Sequence, residues 1–303
     1  MRLRIHRFLV FIACALMAPA DPDWQTAAGG KMSFDVASVK LAKFPAFSPW
    51  YRFLFGRGDA KPPGGRFSAT TSLSNYIYFA YKLAPFEAMD LPARLPKWAN
   101  DNYAIDAKTE GNPTKDQMRL MMQALLAERF QLKVHFESKE VPVLALMLVT
   151  PGRLGPKLLA HSAGLPCPDS FDDSPFAQLP PPKPGVAWPP QCGTTAQRGT
   201  RDGTWLGSRN TTMGLLAQDL FNPQFGIDQP VVDQTGLRGQ FDFLLELPAG
   251  MISLGPKPPN PDDPPPGPIF RKALREQLGL KLERSRGKVR ALIIDRVERP
   301  SEN

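Results

Sequence analysis

Histidine and cysteine are scarce in this chain, with three of each among 303 residues. No third cysteine lies near Cys167 and Cys192, and no histidine sits at ligand spacing from them, so no metal site is expected. The sequence holds no G-x-S-x-G nucleophile elbow and no H-E-x-x-H pair. Gly250–Lys257 imitates a phosphate loop but puts proline before the lysine, and proline-rich sequence follows where a helix N-terminus would be needed. No catalytic residue and no cofactor is therefore assigned. The apolar run Phe8–Met17 ends after about ten residues, against the ~20 of a bilayer helix. No run of five lysines and arginines occurs, so the formal charge of +8 reads as a solvated basic surface rather than a footprint for a specific nucleic acid.

What is present starts with an address. Arg2, Arg4 and Arg7 precede Phe8–Met17, and Ala18-Pro19-Ala20 offers small residues for cleavage after Ala20. Residues 1–20 thus read as a secretory signal peptide, with lipidation at Cys14 as the variant and 21–33 as an N-terminal extension. The expected location is extracytoplasmic, in periplasm or medium, with no membrane segment left after cleavage. Removing the three arginines leaves a net +5. Cys167 and Cys192 are then the only two cysteines, an even pair that suggests a disulfide in an exported protein. It would close a 25-residue proline-rich loop and contribute about 3 kcal/mol. Two free thiols are the alternative.

The body repeats itself. Ser72–Tyr81 matches Thr212–Phe221 at an offset of 140, and both carry apolar residues at i, i+3, i+4, i+7 and i+8 after an N-capping hydroxyl. A second helix follows in each copy. The first opens on a Thr114–Gln117 capping box and continues through Met118, Met121, Met122, Leu125 and Leu126; the second starts near Pro268. Each then runs into a predicted hairpin: residues 131–136 and 141–146 match 279–284 and 289–294 at an offset of 148, with Ser285–Lys288 as turn chemistry. Alternating strands are predicted at 102–107 and 240–245 between the helices, and at 65–69 and 204–208 before the first. Copy one has an extra leading strand at 34–39.

The expected fold is α+β: two related β-α-β-α-β-β modules, each with two helices on one face of a small sheet. The first spans 34–150 and the second 204–300. A proline-rich linker, 151–203, joins them, and a proline-rich insert, 255–268, interrupts the second. Proline, at 34 residues, is about twice its usual ~5 %.

Candidate functional residues are few. Trp50, Tyr51, Phe53 and Phe55 form a dense aromatic run, and Tyr78 and Phe79 lie off the apolar stripe of the first helix. Together they read as an aromatic binding surface or as local core under a loop. Asp106, Glu110 and Asp242 can do acid–base work only if a cleft joins two of them. Asp169, Asp172 and Asp173 read as a solvated acidic loop, and Arg57-Gly58-Asp59 as turn sequence before a strand. His135 reads as a surface or edge histidine.

Residues 34–40, 65–67, 120–132, 231–243 and 294–301, with Val231-Val232-Asp233-Gln234-Thr235-Gly236-Leu237 at their centre, resemble the uncharacterised "soil-associated" family of exported bacterial proteins. That family has no established activity. Related domains at the ends of antibiotic-sensor membrane peptidases imply an extracytoplasmic sensing or binding role. The second copy is also similar to the short N-terminal docking domain of secretins and TonB-dependent receptors. The resemblances imply a non-enzymatic envelope protein that docks or senses, with a protein partner received at a sheet edge or groove beside Val231 and Val232. The alternative is a secreted hydrolase of envelope or extracellular polymers.

Overall fold

In a computed structural model, the described residues are 24–42, 64–161, 167, 179, 181–183, 185–189, 192–193, 195–251 and 265–300. The leader 1–20, Cys14, the aromatic run at 50–55, Arg57–Asp59, the 169–173 acidic loop and most of the 255–268 insert lie outside them.

The first half is built from strands β1 (Val36–Leu41) and β2 (Arg66–Ser72), helix α1 (Leu73–Ala80), strand β3 (Asn102–Lys108) and helix α2 (Lys115–Arg129). Its antiparallel sheet has the order β1-β3-β2. Alternation decides its two faces: Phe67 and Ala69 of β2 and Tyr103, Ile105 and Ala107 of β3 are buried, while Arg66, Asp106 and Lys108 point the other way. Both helices cover the apolar face. The stripe Leu73, Tyr76, Ile77, Ala80 is buried as predicted, and the Tyr76 hydroxyl lies 2.8 Å from the Ala69 and Tyr103 carbonyls. The predicted capping box starts α2: Gln117 N–H donates to Thr114 Oγ1 at 3.2 Å, and Thr114 N–H donates to Gln117 Oε1 at 2.8 Å.

The second half repeats this order and adds to it. Strands β5 (Leu158–Ala160), β6 (Thr195–Gly199) and β7 (Thr204–Thr211), helix α3 (Met213–Asp219), strands β8 (Val231–Asp233) and β9 (Phe241–Leu247) and helix α4 (Pro266–Ala273) follow in turn. The sheet order is β5-β9-β7-β6. β5 beside β9 matches β1 beside β3, so a leading strand is not peculiar to copy one. Both β5 and β6 come from the segment expected to be a linker. A π-turn, Leu274–Leu278, extends α4 and ends at Gly279, whose φ of 69° only glycine adopts readily.

The predicted hairpins do not form. Residues 133–148 are one strand, β4, and residues 280–296 are one strand, β10; they pair with each other antiparallel from Leu148↔Leu280 to Lys133↔Arg296. No residue of either strand has a positive φ, which a tight hairpin turn requires. Gly287 stays extended, and a Cβ there would lie 3.1 Å from Val143. At the midpoint Glu140 faces Lys288, its own repeat equivalent at the offset of 148. Each strand therefore starts in its own half and ends in the other. Leu292 of β10 is buried in the first core, with Ile294 and Val297 packed against it. Leu144 and Leu146 of β4 are buried in the second. The halves also touch through Phe86 and Phe221, whose ring centres lie 6.3 Å apart.

Candidate functional site

Strand pairing places Val36, Lys108 and Arg66 in one row on the outer face of the first sheet, and Ser38, Asp106 and Ser68 in the next. Of these, Val36, Lys108, Arg66, Ser38 and Asp106, with Gly65 and the loop Thr109–Gly111, line an open cavity of about 860 Å³, within the usual size range of ligand pockets. Gly65 shapes one wall. Thr109 N–H donates to its carbonyl at 2.8 Å, and a Cβ on Gly65 would collide with the Thr109 carbonyl. Asp35 pins the rim by accepting the Glu110 N–H at 2.8 Å. Ser68 Oγ donates to Asp106 Oδ1 at 2.6 Å, and Val36 is 70 % exposed. Two cations and two carboxylates thus share one accessible surface.

Of the three carboxylates singled out in the sequence, Asp106 and Glu110 line this cleft. Asp242 lies in the other half, where His161 Nδ1 is 2.7 Å from its Oδ1 and the Asn210 N–H donates to the same oxygen at 2.8 Å. His161 also donates its backbone N–H to Gln240 at 2.8 Å, so the pair fastens the end of β5 to β9. Arg66, Lys108 and Ser38 were missed. Ser38 and Arg66 hold polar positions in the predicted strands and Lys108 follows the predicted 102–107, but which strands stand side by side was not legible.

The outer face of the second sheet is partly covered instead: Leu159 of β5 stays exposed, but Trp188 lies on β7. Trp188, 7 % exposed, lies over Gly207, where a Cβ would come within 2.8 Å of the indole. β6 pairs along β7, Thr195 Oγ1 donates to Asp219 at 2.7 Å, and Cys167 and Cys192 form a disulfide.

The remaining candidates have structural positions. Phe79 is 1 % exposed, with its ring centre 5.8 Å from that of Phe67 and the Arg119 guanidinium 5.5 Å away, so burial removes it from any surface. Tyr78 is half-buried against the same core. Val231 is buried and Val232 half-buried in β8, which runs parallel to Leu144–Leu146 of β4. The downstream Asp233-Gln234-Thr235-Gly236-Leu237 is a turn: Asp233 Oδ1 accepts from Thr235 N–H at 2.9 Å and Oγ1 at 2.8 Å, and Gly236 has φ 71°. The sequence that carried the family resemblance is thus scaffold.

A second polar cluster ties the halves together. Arg290 of β10 lies 4.2 Å over the Phe136 ring and 3.1 Å from Glu87, whose other oxygen accepts the Ala84 N–H at 2.5 Å. Tyr81 stands edge-on to Phe136, and burial pushes its hydroxyl up to about 12. Burial also raises Tyr103. Exposed His135 is raised above its ordinary value because its ring bonds to Asp295 at 2.8 Å. Among the described residues no group of three or more His, Cys, Asp or Glu side chains is placed to hold a metal.

These features define a two-half α+β protein with crossed strands and, among the described residues, an open, ligand-sized cleft edged by charged side chains. The family described as "protein of unknown function (DUF3738)" matches residues 74–297, and the chain belongs to it. No curated protein and no solved structure matches.

Proposed function

We propose that this chain is exported and acts as a binding protein in the envelope or outside the cell, with the outer cleft of the first half as its binding surface. One observation carries this: the two halves share a fold, yet among the described residues the outer face of the first sheet lines an open cavity, whereas Trp188 lies on that of the second. The disulfide fits an oxidising compartment. No helix among the described residues is long and apolar enough to cross a membrane. The resemblance to exported sensing and docking domains agrees with this role. Arg66 and Lys108 beside Asp106 and Glu110 suit a polar ligand that bears groups of both signs, such as a peptide. A photo-crosslinking residue at Ser38, tested in native envelope, is expected to form adducts that Arg66→Ala with Lys108→Ala removes. The same probe at Leu159 of the second half should form none. Equal labelling from both positions would refute the assignment.

The second reading is hydrolysis, favoured by Asp106 and Glu110 lining one cleft. If the purified chain releases fragments from envelope polymers and Asp106→Asn abolishes the release, this reading replaces the first.

A further inference from the structure

We infer that two copies of this chain join edge to edge through β2. Gly65 faces β3, accepting from Thr109, so alternate residues Arg66, Ser68, Thr70 and Ser72 turn their backbone groups away from it. Among the described residues no strand pairs with that edge. An open edge of this length invites a partner unless something blocks it. Elsewhere the fold supplies blocks. The crossed ribbon carries Pro142 on one strand and Arg284, Arg286, Lys288 and Arg290 on the other. β5 and β8 are three residues long, and β1 carries the exposed Lys40. β7, the counterpart of β2, is closed by β6. β2 has no proline, no lysine and no acidic residue, and its one charge, Arg66, is at its end.

The occupant is a second copy because the strand is complementary to itself. Paired antiparallel about Ala69, Ser68 of one copy meets Thr70 of the other, Phe67 meets Thr71, and Arg66 meets Ser72. No like charges face each other, the smallest side chain sits on the symmetry axis, and all four outward residues gain backbone partners. The second half supplies the steric precedent. β6 lies antiparallel along β7 although α3 starts directly after that strand, just as α1 starts directly after β2. The product is a six-stranded sheet, β1-β3-β2-β2-β3-β1, with two polar clefts on one face. A ligand with repeated units would then bind with avidity.

The test is light scattering and sedimentation of the chain from residue 21 onward over a dilution series, joined to hydrogen exchange. Dimers are expected, with the Ser68 and Thr70 amides gaining protection as concentration rises. Thr70→Pro, which removes an N–H with no strand partner among the described residues, should weaken dimerisation at least ~10-fold. Ser68→Lys with Thr70→Lys, which brings like charges together across the axis, should do the same without proline's backbone risk. A monomer at every soluble concentration overturns the inference, as does a dimer that both variants leave unchanged. Protection of these amides only on adding another envelope protein also overturns it and gives the edge to a foreign strand. None of these outcomes bears on the Ser38 crosslinks, so the cleft stands or falls separately.

Discussion

At the place where β4 enters the second half, its edge at Leu144–Leu146 acquires a strand: the Leu144 N–H donates to Pro230 at 2.8 Å and the Gln234 N–H to Leu146 at 2.9 Å. At the place where β10 enters the first half, the equivalent Leu292 carbonyl receives the Arg94 guanidinium at 2.6 Å instead. By the repeat offset of 140, Leu91–Ala93 is the counterpart of Val231–Asp233. Pro92 in its middle removes a ladder donor, and the stretch coils into a helical turn, Leu91–Arg94. The second half meanwhile added β6 at the edge of its sheet and laid Trp188 on its outer face. The halves keep one core plan and differ in what covers their edges and faces.

The sharpest way to break this comparison is to cut the crossing itself. Leu292 is a second-half residue buried in the first core, and Leu144 is its mirror in the second. Leu292→Ala and Leu144→Ala should each cost about 3 kcal/mol. Because each strand serves both cores, either variant should move the whole urea transition as one step. Far-UV circular dichroism and tryptophan fluorescence check this, with Trp98 in the first half and Trp188 and Trp205 in the second. A biphasic curve would mean that the halves fold independently and that the ribbon couples little.

Much of this architecture was legible. The stripes of α1 and α3, the Thr114–Gln117 box and the alternation of β3 and β9 follow from local chemistry, and they fell where the periods placed them. The crossed ribbon was not legible from pattern alone. Val134, Leu132, Leu144 and Leu146 alternate identically whether each strand folds back on itself or pairs with the distant copy. The difference lies in positive-φ residues that a turn would need and that 137–140 cannot readily supply. β5 and β6 were hidden because proline-rich composition says little about three- to five-residue edge strands. The cleft was half legible: alternation put Asp106 on the polar face, while strand order brought it, with Lys108, to Arg66 and Ser38.

A smaller effect separates the halves rather than joining them. Cys192→Ser should cost up to ~3 kcal/mol, confined to the second half. Hydrogen exchange should rise at Arg198 and Trp205, whose amides face each other across β6 and β7, while Ile105 in β3 keeps its protection. Loss of protection in both sheets would extend the clamp's reach across the ribbon. Glu87→Ala comes next, at about 2 kcal/mol, because Arg290 loses its carboxylate and the Ala84 N–H loses its acceptor. The repeat equivalent of Arg290 is Pro142, so no matching latch exists at the other end. A double-mutant cycle with Arg290→Met should show most of that loss as coupling.

The smallest expected effect is the pH response of His135, which tests whether the two ends of the ribbon differ in electrostatics as well as in cover. The Asp295 carboxylate holding its ring raises its pKa above the ordinary 6.5. The stabilisation it gives is complete below the unfolded value and disappears as pH rises through the higher folded value. As pH rises from below the ordinary 6.5 through the raised folded value, this group alone should lower stability slightly, and His135→Gln should remove that slope. At the far end of the ribbon the repeat equivalents are Glu283 and Met147, which cannot form such a pair. The slope should therefore register at first-half amides such as Ile293, opposite His135, in exchange measurements and be absent at its repeat equivalent, Ala145. An equal slope at both ends would show that it arises from groups other than the His135–Asp295 pair.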